Sequence, residues 1–250
     1  MNRLNIDCII QARMGSQRLP GKVLLDLTDG KKIIEFLTDQ LESSNLQQKI
    51  VAIPNDEMDN VLFNFLKYSK ISCYRGSTFD VLDRYYTCAK QFSFKHIMRI
   101  TGDNPLIDPE IVNEAIKQYS NSNCDYLTNS IDRTFPNGTE VEVFSFNALE
   151  IAWKNAKKKS EREHVTPYFY NNPEKFKINY FKQQQDQSKF RYTIDRKEDY
   201  ELVVKILSRI KKRPIKTSDI IELLTNDLEL LKLNSHIIPN EGYIKSINED

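Results

Sequence analysis

Three cations are crowded into one short loop after the apolar run Cys8–Ile10: Arg13, Arg18 and Lys22, with Gly15, Pro20 and Gly21 among them. Glycine lets a backbone approach a ligand and turn its N–H groups inward, while guanidinium and ammonium groups supply charge-assisted donors. Holding a polyphosphate is the chemistry this suits; an ordinary exposed loop is the other reading. The stretch is not a P-loop, because Val23 follows Lys22 where a hydroxyl is required, and it is not G-x-G-x-x-G. Asp103 follows an apolar run and a glycine in Ile100-Thr101-Gly102-Asp103, where a carboxylate can reach a divalent cation without being buried unpaired. Asn104-Pro105 behind it would equally make it a turn residue. Glu140 and Glu142 share one face of an alternating segment, a placement suited to sugar hydroxyls, a cation or solvent. His164, next to Val165, is either a ligand-facing or a satisfied structural histidine. There is no H-E-x-x-H, and His96 and His236 have no nearby ligands, so no zinc site is expected.

These groups need strands and helices to position them. Ile6–Gln11, Lys49–Pro54, Ile71–Tyr74 and His96–Ile100 read as short apolar strands. Between them, 31–46, a segment around Val61–Leu66, and 79–92 carry apolar residues at helical spacing, and Asp108-Pro109-Glu110 is a strong helix start. That rhythm predicts parallel strands with right-handed crossovers, hence an open, mostly parallel α/β sheet. Ligands on such sheets bind at the carboxyl ends of the strands, where both the cationic loop and Asp103 fall. After Leu127 the rhythm breaks: Pro136-Asn137-Gly138 is a turn, and 139–144, 175–181 and 190–194 read as further strands. Helices are expected over 147–157, 161–170, 197–207 and 218–231, and an irregular tail after Ile238. One domain, 1–250, is expected, divided into a nucleotide-binding core (1–128), an excursion (129–190) and a return strand with C-terminal helices (191–250).

The bulk properties exclude several classes. Lys and Arg number 36 against 35 Asp and Glu, a net charge of +1, so no global field recruits nucleic acid or an anionic membrane. Cys8, Cys73, Cys88 and Cys124 lie far apart with no C-x-x-C pair and read as buried thiols of a reducing compartment. No run approaches ~18 continuous apolar residues, and the expected location is the cytoplasm.

The loop Ile9-Ile10-Gln11-Ala12-Arg13-Met14-Gly15-Ser16-Gln17-Arg18-Leu19-Pro20-Gly21-Lys22-Val23-Leu24 resembles the N-terminal signature of the nucleotide-sugar cytidylyltransferases. That group contains the CMP-Kdo and CMP-sialate synthetases, and the resemblance is closest to the spore-coat polysaccharide (SpsF-type) branch. It continues in order through Tyr74-Arg75-Gly76-Ser77, Asp80–Tyr86, Arg99–Pro109, Val141–Phe144, Arg162–Pro167 and Thr193-Ile194-Asp195. The resemblance implies a Rossmann-like, GT-A-like sheet with a small β-containing excursion for acceptor binding and dimerisation, and a homodimer through 139–180. It implies transfer of CMP from CTP to a sugar with release of pyrophosphate, using Mg²⁺. Charge develops on the phosphoryl and leaving oxygens in such a transfer, so cations and a metal must neutralise it.

Carried over residue by residue, the resemblance makes Arg13, Arg18 and Lys22 the triphosphate clamp, with Ala12 and the Gly15-Ser16 backbone beside it. Arg75, Gly76, Ser77, Arg84 and Thr101 become candidates for the nucleoside, although Asp83 and Arg84 would also suit a surface ion pair. Asp103 and Asp195 match the metal-binding pair, and Asp195 would also suit the N-cap of the next helix. Glu140, Glu142, Arg162 and His164 are the acceptor candidates. The chain departs from the branch at Arg196-Lys197, where Thr-Pro is usual, and at Asn104, where a cysteine or acid is common. A 3-deoxy-2-ulosonic acid is the favoured acceptor. Transfer to a phosphorylated sugar or alditol giving a CDP product is the alternative within enzymes; a non-catalytic nucleotide-binding protein or a GT-A glycosyltransferase is the alternative outside that reaction. The last would need an Asp-x-Asp that Thr101-Gly102-Asp103 does not supply.

Overall fold

A computed structural model describes residues 4–238 and 241–250 of the chain. The order begins with β1 (Asp7–Gln11), the hairpin β2 (Asp26–Thr28) and β3 (Lys31–Lys32), α1 (Ile33–Gln40), β4 (Lys49–Pro54) and α2 (Asn60–Tyr68). It continues through β5 (Cys73–Gly76), α3 (Val81–Gln91), β6 (His96–Thr101), α4 (Pro109–Asn121), β7 (Tyr126–Thr128), β8 (Glu142–Ser145) and α5 (Phe146–Asn155). Then come α6 (Lys159–His164), α7 (Pro167–Asn171), β9 (Ile178–Tyr180), α8 (Lys197–Arg209), α9 (Thr217–Asn226), α10 (Leu228–Lys232) and α11 (Glu241–Ile247).

Seven strands form one sheet in the order β5-β4-β1-β6-β8-β7-β9. β5, β4, β1 and β6 are parallel neighbours; β8 runs antiparallel to both β6 and β7, and β9 is parallel to β7. The expected open, mostly parallel α/β architecture is therefore the one found. The strands after Asn129 extend the main sheet, with β8 inserted beside β6 in the register Ile97↔Phe144 and Arg99↔Glu142.

β1 is apolar throughout its centre because both faces of the sheet are covered. Cys8 and Ile10 pack into a core with Leu37 of α1, Leu62 of α2 and Val112 of α4. Ile9 points the other way, into a core with Leu82 and Tyr85 of α3 and Leu149 of α5. A third core joins Ile33 and Phe36 of α1 to Tyr192, Ile194, Leu202 and Ile206, and it holds the segment carrying Asp195 against the sheet. Asp80 caps α3 by accepting from Asp83 N at 2.9 Å, and Asp108 caps α4 ahead of Pro109.

Two expectations are corrected. Phe190–Ile194 is not a strand: its apolar residues alternate, but Arg191 and Thr193 between them are buried too, and among the described residues the only ladder contact is an isolated bridge from Arg191 to Asn137. Their backbone groups are satisfied instead by Asn137 and by Asp103, whose carbonyl accepts from Ile194 N at 2.8 Å. The segment after Ile238 is not irregular, because Glu241–Ile247 is helical; residues 239 and 240 lie outside the described residues.

Candidate active site

The cationic loop leaves β1 at Gln11 and doubles back. Gly21 N donates to Met14 O at 2.9 Å, and Met14 N donates to the Asp59 carboxylate at 2.8 Å. Gly21 sits at φ +69°, the left-handed region that favours glycine, and this reverses the chain into the short helical turn Lys22–Leu24. Lys22 is thereby turned inward and is only 8 % exposed. Its ammonium donates to Asp103 Oδ2 at 2.8 Å, Asp195 Oδ1 at 2.9 Å and the Ile194 carbonyl at 2.7 Å. Three protons meet three acceptors, so the buried charge is fully satisfied. Burial alone would lower the Lys22 pKa, but the two carboxylates outweigh it and raise it.

Both carboxylates arrive from ends of extended segments. Gly102 follows β6, and its N–H donates to Gln11 O at 2.8 Å. A Cβ there would stand 2.9 Å from that carbonyl and 3.1 Å from the Ala12 Cβ, so only glycine lets β6 pass β1 closely enough to deliver Asp103. Asp195 also pairs with Arg18 at 2.8 Å and with Arg191 at 3.2 Å. Burial would raise the Asp195 pKa, yet Lys22 and Arg18 hold its carboxyl well below the usual carboxylate range. Asp195 is not the cap of α8. The cap position is held by Arg196, and Asp199, three residues on in the first turn, accepts from Arg196 N at 3.0 Å.

A cavity of about 460 Å³, a size suited to a nucleotide-sized ligand, opens over this cluster. One wall is the loop and strand ends: Gln11, Ala12, Arg13, Ser16, Arg18, Lys22, Arg84, Thr101, Asp103 and Asp195. The opposite wall is α6 and α11, contributing Lys159, Glu163 and His164, and Glu241, Lys245 and Ser246. Arg13 spans towards Glu163 at 3.9 Å. His164 Nε2 lies 3.0 Å from Ser246 Oγ, which lies 3.0 Å from Glu163 Oε2. Burial, with Arg13 and Arg99 nearby, pushes the His164 pKa down to about 4 against the pull of Glu163, so the ring is neutral near pH 7.

Seven candidates fall outside this cavity. Glu142 is 3 % exposed, ion-paired with Arg99 and hydrogen-bonded to the Tyr126 hydroxyl, and it does not line the cavity. Glu140 lies outside the strand that holds Glu142; it pairs with Arg133 and accepts from Asn104 Nδ2 at 3.0 Å and Gly138 N at 2.9 Å. Arg162 is tied to Asp80 and to the Trp153 carbonyl at 2.7 Å. Arg75 donates to Asn60 and to Asp56 O, both at 2.7 Å, while Ser77 Oγ accepts from Asp80 N. Gly76 is packed under Tyr74 and Arg84, and Gly15 faces Met58. The alternative of an Asp83–Arg84 surface pair also fails: Arg84 is 1 % exposed and donates to the Ser77 and Thr78 carbonyls, and Asp83 accepts from Trp153.

Residue reasoning missed Gln11, Lys159, Glu163 and the whole contribution of α11. Lys159 and Glu163 are one helical turn apart, and that spacing was a usable sign that they share a face. Arg162, one position away, turns elsewhere.

The residues matched by the cytidylyltransferase family model are 8–229, and the chain belongs to that family of nucleotidyltransferases. It is 33 % identical over 230 residues to the spore coat polysaccharide biosynthesis protein SpsF of Bacillus subtilis, covering 88 % of this chain and 93 % of the relative. A 3-deoxy-manno-octulosonate cytidylyltransferase of Francisella philomiragia is 28 % identical over 169 residues, 64 % of this chain and 66 % of that protein. The structure of a cytidylyltransferase from Leptospira borgpetersenii superposes with a TM-score of 0.86 at 34 % identity, covering 92 % of this chain and 97 % of the other.

Proposed function

We propose that the chain transfers CMP from CTP to the hydroxyl of a sugar, with a 3-deoxy-2-ulosonic acid as the favoured acceptor, in the making of a surface glycan. The observation that carries the reading is Lys22, held between Asp103 and Asp195 at the floor of a cavity whose loop wall also presents Arg13 and Arg18. The acceptor hydroxyl gives up its proton to solvent as its oxygen bonds to the α-phosphorus, the bond to pyrophosphate breaks, and negative charge gathers on the phosphoryl and leaving oxygens. Arg13, Arg18 and Lys22 meet that charge. Lys22 exchanges its carboxylate partners for phosphate oxygens as the nucleotide binds.

Asp103 and Asp195 fit Mg²⁺, because two hard carboxylates already converge on one cation position. Mg²⁺ commonly takes one or two carboxylates and completes its shell with phosphate oxygens and water. Bound there, Mg²⁺ would supply charge neutralisation at the phosphates. For the base, Gln11 lines the cavity and its Oε1 is buried with no partner in the protein, an acceptor available to the amino group of cytosine. His164, neutral and held by Ser246, positions the acceptor wall.

The test is pyrophosphate release with each of the four NTPs and Mg²⁺, against ulosonic acids and sugar phosphates, with product masses. Release with CTP and an ulosonic acid, giving a CMP-sugar mass, is the expected result. Release with another NTP in preference to CTP, or a CDP-linked mass, would overturn the assignment.

A further inference from the structure

The family match ends at residue 229, yet α11 lines the same cavity as the cationic loop. The helix is anchored at both ends by groups outside the loop. Glu241 receives two hydrogen bonds from Arg196, at 3.0 and 2.8 Å, Glu249 pairs with Lys159, and Asp250 accepts from Ser160 N and Oγ at 2.7 and 2.6 Å. Between the anchors, Tyr243 packs edge-on to His164 and Ser246 is buried, while Ile244 and Ile247 are 50 % and 46 % exposed. The segment is thus docked by its polar face and lies across the cavity. Seven helical residues do not hold together alone in water, so its place depends on these contacts.

The charges lining the cavity single out one residue. Lys22, Arg18, Arg13 and Lys159 each have a carboxylate partner, and Arg84 is spent on backbone carbonyls. Lys245 has no carboxylate within 4.0 Å among the described residues; its ammonium reaches only Gln17 Oε1, at 3.5 Å, beside Arg18. Gly242, one turn earlier, is where a Cβ would touch the Arg18 guanidinium at 3.7 Å. The acids of the segment are engaged in holding it down, and its one cation within the cavity is left for a ligand at the phosphate end.

We propose that α11 is a strap over the polyphosphate end of the cavity and that Lys245 is an additional binding residue for the terminal phosphates of the nucleotide. The proposal rests on the nucleotidyl-transfer reading for its natural ligand, but its chemistry requires only a polyphosphate. Its test is calorimetric binding of CTP, CMP and inorganic tripolyphosphate, each with Mg²⁺, to the full chain and to Lys245→Ala, Lys245→Arg and a chain ending at Ile238. Lys245→Ala and the shortened chain should weaken CTP and tripolyphosphate by about tenfold, with CMP changed by less than about twofold and Lys245→Arg restoring most of the loss. Equal weakening of CTP and CMP, no weakening of either, or tighter CTP binding by the shortened chain would each overturn it. Tripolyphosphate separates the two readings: a Lys245 effect on it supports the strap by itself, and if the pyrophosphate-release assay with the four NTPs then shows no preference for CTP, that result counts against cytidylyl transfer alone.

Discussion

Replacing Lys22 by methionine keeps the length of the stem and removes the charge between Asp103 and Asp195. Breaking a buried ion pair from one side costs about 3–5 kcal/mol. Here the discount is substantial, because the Asp103 and Asp195 side chains keep 25 % and 22 % exposure and Asp195 retains Arg18 and Arg191. A loss of about 2 kcal/mol is expected, and for a chain of this size that lowers Tm by about 4–8 °C. The assay is thermal unfolding in EDTA and then in increasing MgCl2. A divalent ion that takes the vacated position stabilises by about 1.4 kcal/mol at ten times its Kd, so Mg²⁺ should recover about two thirds of the loss. The wild type should respond less, because its ammonium competes for the same carboxylates. A variant that melts within about 1 °C of the wild type in EDTA would refute the energetic reasoning. Equal Mg²⁺ responses in the two proteins would refute the metal position.

The Glu142→Gln change leaves Arg99 buried without its counter-charge and should cost about 3–5 kcal/mol of stability, seen as a lowered Tm, with the acceptor KM of the folded protein unchanged. A raised KM at unchanged Tm would return Glu142 to the acceptor wall. His164 gives a pH prediction. Its pKa is lowered in the fold to about 4 while the unfolded chain takes up the proton near pH 6.5, so the unfolded state binds more protons between those values. Stability should therefore fall as pH drops from about 6.5 towards 4, and His164→Gln should flatten that slope in a Tm–pH series. Asp195 adds nothing to that slope above about pH 5 and begins to contribute only in the acid end of that window. Its depressed carboxyl contributes stability above the unfolded value near 3.9, which is lost progressively as pH falls through it.

The alternation of apolar strands and amphipathic helices up to α4 was readable because the central strands β1 and β4 are buried along their length and the helices bury one face, whereas the exposed hairpin β2–β3 gave no such signal. What sequence periodicity reports is burial. Phe190, Tyr192 and Ile194 are apolar at period two and so read as a strand, although Arg191 and Thr193 between them are buried too and the segment's hydrogen bonds go to loops. That Arg13, Arg18, Lys22 and Asp103 gather round one cavity was legible from their own neighbourhoods, a strand end with glycines. The burial of Glu142 was not legible because its partner, Arg99, stands 43 positions away on another strand, and only the β6–β8 register brings them together. The strap left no trace in hydropathy, because a helix docked by its polar face turns its isoleucines outward.

The insertion of β8 between β6 and β7 has a consequence for vectorial synthesis. By residue 101 the ribosome has delivered all four parallel strands, β5-β4-β1-β6, and these can begin to assemble. β7 emerges next, at Tyr126–Thr128, but its ladder partners are β8 and β9, and β6 waits for β8 as well. Until Ser145 leaves the exit tunnel, the nascent sheet carries a naked edge at β6, with Arg99 facing it uncompensated. The single charge on that strand therefore guards the edge during synthesis, before Glu142 arrives to neutralise it.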